Sequence, residues 1–337
     1  MEKRTRNPRT RFGIAALLSA ATLAVTGCGL EPAASFVPAV GPGEIAEVPG
    51  AADADPITVT SKQFTEQLIL GKIAVLAAEA AGYEVVDLTN VPGSQPSREL
   101  IVSGGADVGY EYTGTAWLTY LGQEESIPDT QEMWEAVAAE DAENGVVWGE
   151  PMPLNNTYAF AVRPEAAAEF GDMTTLSEIG EVPVEERTFC VDAEFNSRVD
   201  GMNPMLDLYE LPRGDAEGVP DDQIGIYDIG AIYSATAAGD CNFGEVFTTD
   251  GRIDALDLVV LEDDRQFFPA YNAAPTFHAE SLPNHEEYKE VLDSFGGRLT
   301  NEVMRQLNLR VDVEGEEPAD VAFDWMVSEG LVTDPNA

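Results

Sequence analysis

The sequence predicts an α/β protein built from two α/β units, and three observations carry that prediction. Short apolar runs bounded by turn residues alternate with longer segments of helical period from Ile57 onward. The series starts afresh after Asn155-Asn156-Thr157-Tyr158. Strand-like runs over residues 256–261 and 271–277 then return the chain to three C-terminal helical patterns, the order expected where one domain interrupts another.

Residues 57–60 read as a short buried strand, and Thr65 can cap a helix over 66–81 whose face is Leu68, Ile69, Ile73, Leu76 and Ala80, closed by Gly82. A strand follows over 84–88, a helix over 97–104 with a glycine stop, and a strand over 106–110 that leads into Tyr112-Thr113-Gly114-Thr115. The second series has strands near 158–163, 187–191 and 245–247 and helices near 204–209 and 228–238. Residues 212–222, rich in Gly, Asp and Glu, read as a surface insertion loop. The final helices lie near 285–295, 300–309 and 319–329. Tyr233, Trp117 and Trp148 sit within apolar patterns and read as packing residues.

The N-terminus carries Lys3, Arg4, Arg6, Arg9 and Arg11, then an uncharged stretch over 12–27, then Cys28. This is the pattern of a signal peptide over residues 1–27, its apolar part too short for a comfortable transmembrane helix. Val25-Thr26-Gly27-Cys28 looks like a lipobox, so Cys28 is expected to be diacylated and to anchor an exported protein to the outer face of the cell membrane. Residues 28–56, with recurrent Pro, Ala, Gly and Glu, read as a tether.

The chain holds 18 Lys and Arg against 61 Asp and Glu, a formal net charge of −43. Phosphate contacts need clustered cations, so nucleic acid is excluded as a partner. Dispersed carboxylates of this density favour solubility, particularly in salt. Apart from Cys28 the cysteines are Cys190 and Cys241, which in an exported protein are expected to pair. The bridge would close a loop of about 50 residues, worth on the order of 4 kcal/mol by chain entropy. Two cysteines and the widely placed His278 and His285 make no metal-ligand spacing, and no cofactor is implied. There is no Gly-x-Ser-x-Gly elbow, His-Glu-x-x-His pair or Walker loop, so an extracellular hydrolase finds no support and no catalysis is expected.

Three segments speak more specifically: Ser61-Lys62-Gln63-Phe64-Thr65-Glu66-Gln67, Glu111-Tyr112-Thr113-Gly114-Thr115 and Phe195-Asn196-Ser197-Arg198-Val199-Asp200-Gly201. They resemble the binding-site segments of substrate-binding proteins of osmoprotectant ABC importers, the glycine betaine, carnitine and choline class. The resemblance runs from about Ile57 to the C-terminus. It implies the two-lobed periplasmic-binding-protein fold with two crossovers (type II), closing by a hinge on a ligand in the interlobe cleft, with residues 57–156 and 265–337 in one lobe and 157–264 in the other. It also implies an ABC permease and ATPase on other chains as partners in osmotic-stress uptake.

A quaternary ammonium cannot donate a hydrogen bond, so its selection calls for aromatic faces. The resemblance implies an aromatic box of Tyr112, Tyr158, Phe247 and Tyr271, with Phe247 departing from the tyrosine common in relatives. For a carboxylate at the ligand's other end it implies Lys62, Thr115 and Arg198, drawn from both lobes. A carboxylate in place of Thr115 would favour a hydroxyl-bearing ligand, so the threonine tilts the expectation towards betaines, with choline or another zwitterion such as an amino acid as the alternative.

Overall fold

The computed structural model describes residues 37–124, 127 and 129–337. The signal segment, Cys28 and the first part of the expected tether lie outside the described residues. Twelve strands run in chain order: β1 Gly41–Pro42, β2 Ile57–Lys62, β3 Val85–Val91, β4 Val108–Tyr112, β5 Val146–Trp148, β6 Tyr158–Val162, β7 Phe189–Val191, β8 Ile224–Ile226, β9 Phe243–Phe247, β10 Val259–Leu261, β11 Ala273–His278 and β12 Val332–Thr333. They form two five-stranded sheets, ordered β3-β2-β4-β11-β5 and β10-β6-β9-β7-β8, and a small β1-β12 pair.

Each five-stranded sheet is mixed. In the first, β2 pairs parallel with β3 and β4, while β11 runs antiparallel to β4 and β5. In the second, β7 pairs parallel with β8 and β9, while β6 runs antiparallel to β9 and β10. The chain passes between the sheets twice, after β5 and after β10, which are the two crossovers of the two-lobed periplasmic-binding-protein fold. The two crossing segments are stitched together. Asn155 bridges Asn272, and the Tyr271 N–H donates to the Asn155 side chain at 2.8 Å.

Helix α1, Thr65–Ala80, is buried almost all round, with Ile69, Leu70, Ile73, Val75 and Leu76 at 1 % exposure or less. The sequence suggests one apolar face; the Ala-rich remainder lets the helices Asn301–Asp312 and Pro318–Ser328 close over the other sides. Gly82 ends the helix region in the left-handed conformation (φ 92°), as a glycine stop should. The second core gathers around Phe160, Phe189, Phe195 and Phe243. Cys190 and Cys241 are joined by a disulfide in a separate small cluster with Ile232 and Ala235.

The stretch read as a tether requires correction over its described part. β1 pairs with β12, Val48 N–H bonds to the Ala81 carbonyl at 2.8 Å, and Ile45 and Ala51 are buried in the first core. Pro and Gly are frequent in its composition, yet Ile45 and Ala51, with Val40, Val48 and Ala54 packed against the same core, dock it. Strands β5 and β8 were not legible, since three-residue strands are too short to show a period, and the helix Thr130–Asp141 was not read from the sequence either. In the loop 212–222 most residues are exposed, but Val219 is fully buried and Arg187 donates to the carbonyls of Glu217 and Gly218.

Candidate functional site

A cavity of about 520 Å³ lies between the two sheets, and all seven sequence-predicted residues line it: Lys62, Tyr112, Thr115, Tyr158, Arg198, Phe247 and Tyr271. Lys62 and Tyr112 end the neighbouring strands β2 and β4, so both side chains emerge at the carboxyl edge of the first sheet, where open α/β sheets present binding groups. Thr115 follows on a short helical turn and is 5 % exposed. From the second sheet, Tyr158 and Phe247 stand directly opposite each other in the antiparallel β6-β9 ladder. Tyr271 enters on the second crossing segment, where Gly114 makes room for it. A Cβ at Gly114 would lie 2.7 Å from the Tyr271 ring, so that glycine is a packing requirement.

The rings form a continuous wall. Tyr158 lies 5.2 Å from Phe247 and 5.5 Å from Tyr271, edge on, between ring centroids. Phe64, just before α1, completes it, 5.5 Å from Phe247 and 6.2 Å from Tyr112, and thereby joins the rings of one lobe to those of the other. Phe64 lines the cavity and was missed from sequence although it sits inside the Lys62-Gln63-Phe64 segment; its place in the box depends on a contact across the cleft. Asn156, within the Asn155-Asn156-Thr157-Tyr158 segment, also lines the cavity, as do Asp192, Glu194, Asp228 and Arg252, which carried no sequence signal of their own.

The polar groups are tightly tied. The Lys62 ammonium pairs with Glu111 on the adjacent strand at 2.5 Å and stands 5.0 Å from the Tyr112 ring centroid. Arg198 donates from Nε and Nη2 to Asp200, at 2.7 and 2.5 Å, and from Nη1 to Glu194 at 3.2 Å. A guanidinium has five N–H donors, so these bonds leave capacity for a further acceptor. Asp200 also accepts the Tyr271 hydroxyl at 2.7 Å, which fixes an aromatic wall and a cation through one carboxylate.

Beneath the box, Glu66 is fully buried. It accepts hydrogen bonds from the Tyr112 hydroxyl at 2.6 Å, Asn156 Nδ2 at 3.0 Å and the Thr249 hydroxyl at 2.6 Å. Burial pushes the Glu66 carboxyl up, partly opposed by those bonds. Burial likewise holds the phenols of Tyr112, Tyr158 and Tyr271 well above the usual tyrosine range, so they present neutral rings and hydroxyls. The whole is a concave, mostly aromatic surface with cations at one side, suited to reversible capture of a small zwitterion or cation.

Two lobes, two crossovers and a cavity built from both sheets define the class: a two-lobed substrate-binding protein. Residues 55–328 match the family described as the substrate binding domain of ABC-type glycine betaine transport system, and the chain belongs to that family. It is 35 % identical over 298 residues to a glycine-betaine-binding protein of Pseudomonas aeruginosa, covering 86 % of this chain and 92 % of that one. It is 29 % identical over 281 residues to an ergothioneine transport permease and binding protein of Helicobacter pylori, covering 82 % of this chain and 48 % of the other. Among solved structures, one titled as a glycine betaine/carnitine/choline ABC transporter aligns with TM-score 0.65 and 25 % identity, over 81 % of this chain and 98 % of that one.

Proposed function

We propose that this protein captures a quaternary-ammonium osmolyte, glycine betaine or a related betaine, outside the cytoplasm and delivers it to an ABC permease driven by an ATPase on other chains. The aromatic wall of Tyr112, Phe64, Phe247, Tyr158 and Tyr271, set beside Lys62 and Arg198, is the observation that carries this reading. Each ring face offers a desolvated methylammonium roughly 0.5 to 2 kcal/mol. The remaining N–H groups of Arg198, with Lys62 and Thr115, serve the carboxylate. The glycine-betaine-binding relative supports the ligand class.

The lipobox-like Val25-Thr26-Gly27-Cys28 supports export and anchoring through Cys28, which would hold the receptor beside its permease. The cavity lies within the roughly 300 to 1,000 Å³ common for small-molecule sites. Calorimetry on the folded chain with glycine betaine, proline betaine, carnitine, choline and ectoine tests the reading. Saturable binding of a betaine supports it. Silence across the panel at millimolar ligand, repeated in high salt, overturns it.

A further inference from the structure

The cationic half of the site already holds a carboxylate, and it is the protein's own. Glu194 precedes the turn Phe195–Ser197 on the second lobe and lines the cavity. Its Oε1 accepts from Arg198 Nη1 at 3.2 Å, and its Oε2 accepts from the Ser94 N–H of the first lobe at 3.3 Å. The two carboxylates on Arg198 are unlike. Asp200 is as buried as the arginine, at 3 % side-chain exposure each, and is shared with Tyr271; the Glu194 side chain is 36 % exposed. Asp200 is therefore a fixed part of the wall, whereas Glu194 can leave towards solvent without stranding a buried charge.

Burial alone would push the Glu194 carboxyl up, but the Ser94 hydrogen bond and the fields of Lys62 and Arg198 outweigh it, and the group is held below its usual range. It is thus a carboxylate at neutral pH, aimed at the donors that a zwitterion's acid group needs. We propose that Glu194 sets ligand specificity: it competes with a ligand carboxylate for Arg198 and the Ser94 N–H, and it supplies the counter-charge for a cation that brings none. This inference rests on the quaternary-ammonium reading of the same site.

The two roles have opposite signs, which makes them separable. Replacing Glu194 by neutral glutamine removes a competitor for a betaine and removes a partner for choline. Calorimetric titration of the wild type and Glu194→Gln with glycine betaine, choline and tetramethylammonium is the test. Glycine betaine is expected to bind roughly three- to tenfold tighter to the variant, and choline and tetramethylammonium weaker by a similar factor. Glu194→Ala is expected to move the betaine-to-choline ratio in the same direction. A change of the same sign for all three ligands, or none, overturns the inference while leaving the quaternary-ammonium reading intact. A wild type that binds none of the three overturns the inference, and one that is also silent to proline betaine, carnitine and ectoine overturns both.

Discussion

The Thr249 hydroxyl donates a 2.6 Å hydrogen bond to Oε2 of Glu66, joining the segment after β9 in one lobe to the first turn of α1 in the other. The second oxygen of the same carboxylate receives the hydroxyl of Tyr112 and the amide of Asn156, the latter on a crossing segment. One buried group therefore touches the aromatic box, the connection between the lobes and the opposite lobe. Nearby, Asn308 donates to the Thr249 carbonyl and Arg252 pairs with Asp312, so this contact belongs to a seam of polar groups behind the cleft.

Removing the acceptor leaves three donors without their partner in a buried place, each costing about 1 to 3 kcal/mol. Glu66→Ala is expected to lower unfolding free energy by about 3 kcal/mol or more, measured by urea denaturation. Thr249→Val, which takes away one donor and keeps the shape, is expected to cost about 1 kcal/mol. A Glu66→Ala protein as stable as wild type would show that the three bonds are idle.

Phe64 bridges Tyr112 and Phe247, and its loss breaks the wall between those two rings. Phe64→Ala is expected to weaken glycine betaine and choline alike, by about tenfold, because both present the same ammonium group. Calorimetry with the two ligands reads this directly. A loss confined to one of them would place Phe64 outside the ammonium pocket.

Arg198→Ala is expected to penalise glycine betaine more than choline, since only the former has an acid group for the guanidinium. Because Asp200 holds both Arg198 and Tyr271, Asp200→Asn is expected to weaken both ligands, through a loosened ring as well as a displaced cation. Equal losses of both ligands in Arg198→Ala would assign the arginine to the wall and not to the ligand's carboxylate.

Much of this arrangement was legible in the residues. Alternating runs gave two α/β units, the three resembling segments gave Lys62, Tyr112, Thr115 and Arg198, and the same resemblance gave Tyr158, Phe247 and Tyr271 from other segments; all seven line the cavity. Contacts that depend on the two lobes meeting were not legible. Phe64 became part of the box only when Phe247 was brought against it, and Glu194, a local partner of Arg198 four residues away, met the Ser94 N–H only when the cleft was assembled. The opposite failure occurred at residues 41–54, where composition argued for a tether although a single buried Ile45 and the β1-β12 pair fix the segment. Composition averages over a stretch, whereas docking needs only a few well-placed groups.

The buried carboxyls make a prediction about pH whose sign runs against habit. Glu245, buried behind Asp192, is pushed well above the usual glutamate range, by burial first and then by the neighbouring Asp192 charge, to which it donates its proton. Glu66 and Asp312 are raised as well, each mainly by burial. The native state thus keeps protons that the unfolded chain releases once pH exceeds the ordinary carboxylate values. Unfolding then releases protons, and stability falls as pH rises from the unfolded towards the folded pKa values. The net charge of −43 adds repulsion that grows in the same direction. Melting temperature is expected to fall as pH rises above the ordinary carboxylate range. Glu245→Gln replaces the protonated carboxyl by a neutral group that can still donate to Asp192, so it is expected to flatten the slope and to raise stability at neutral pH. A slope unchanged in Glu245→Gln would show that surface repulsion alone produces the effect, and a melting temperature that rises with pH would contradict the buried protons altogether.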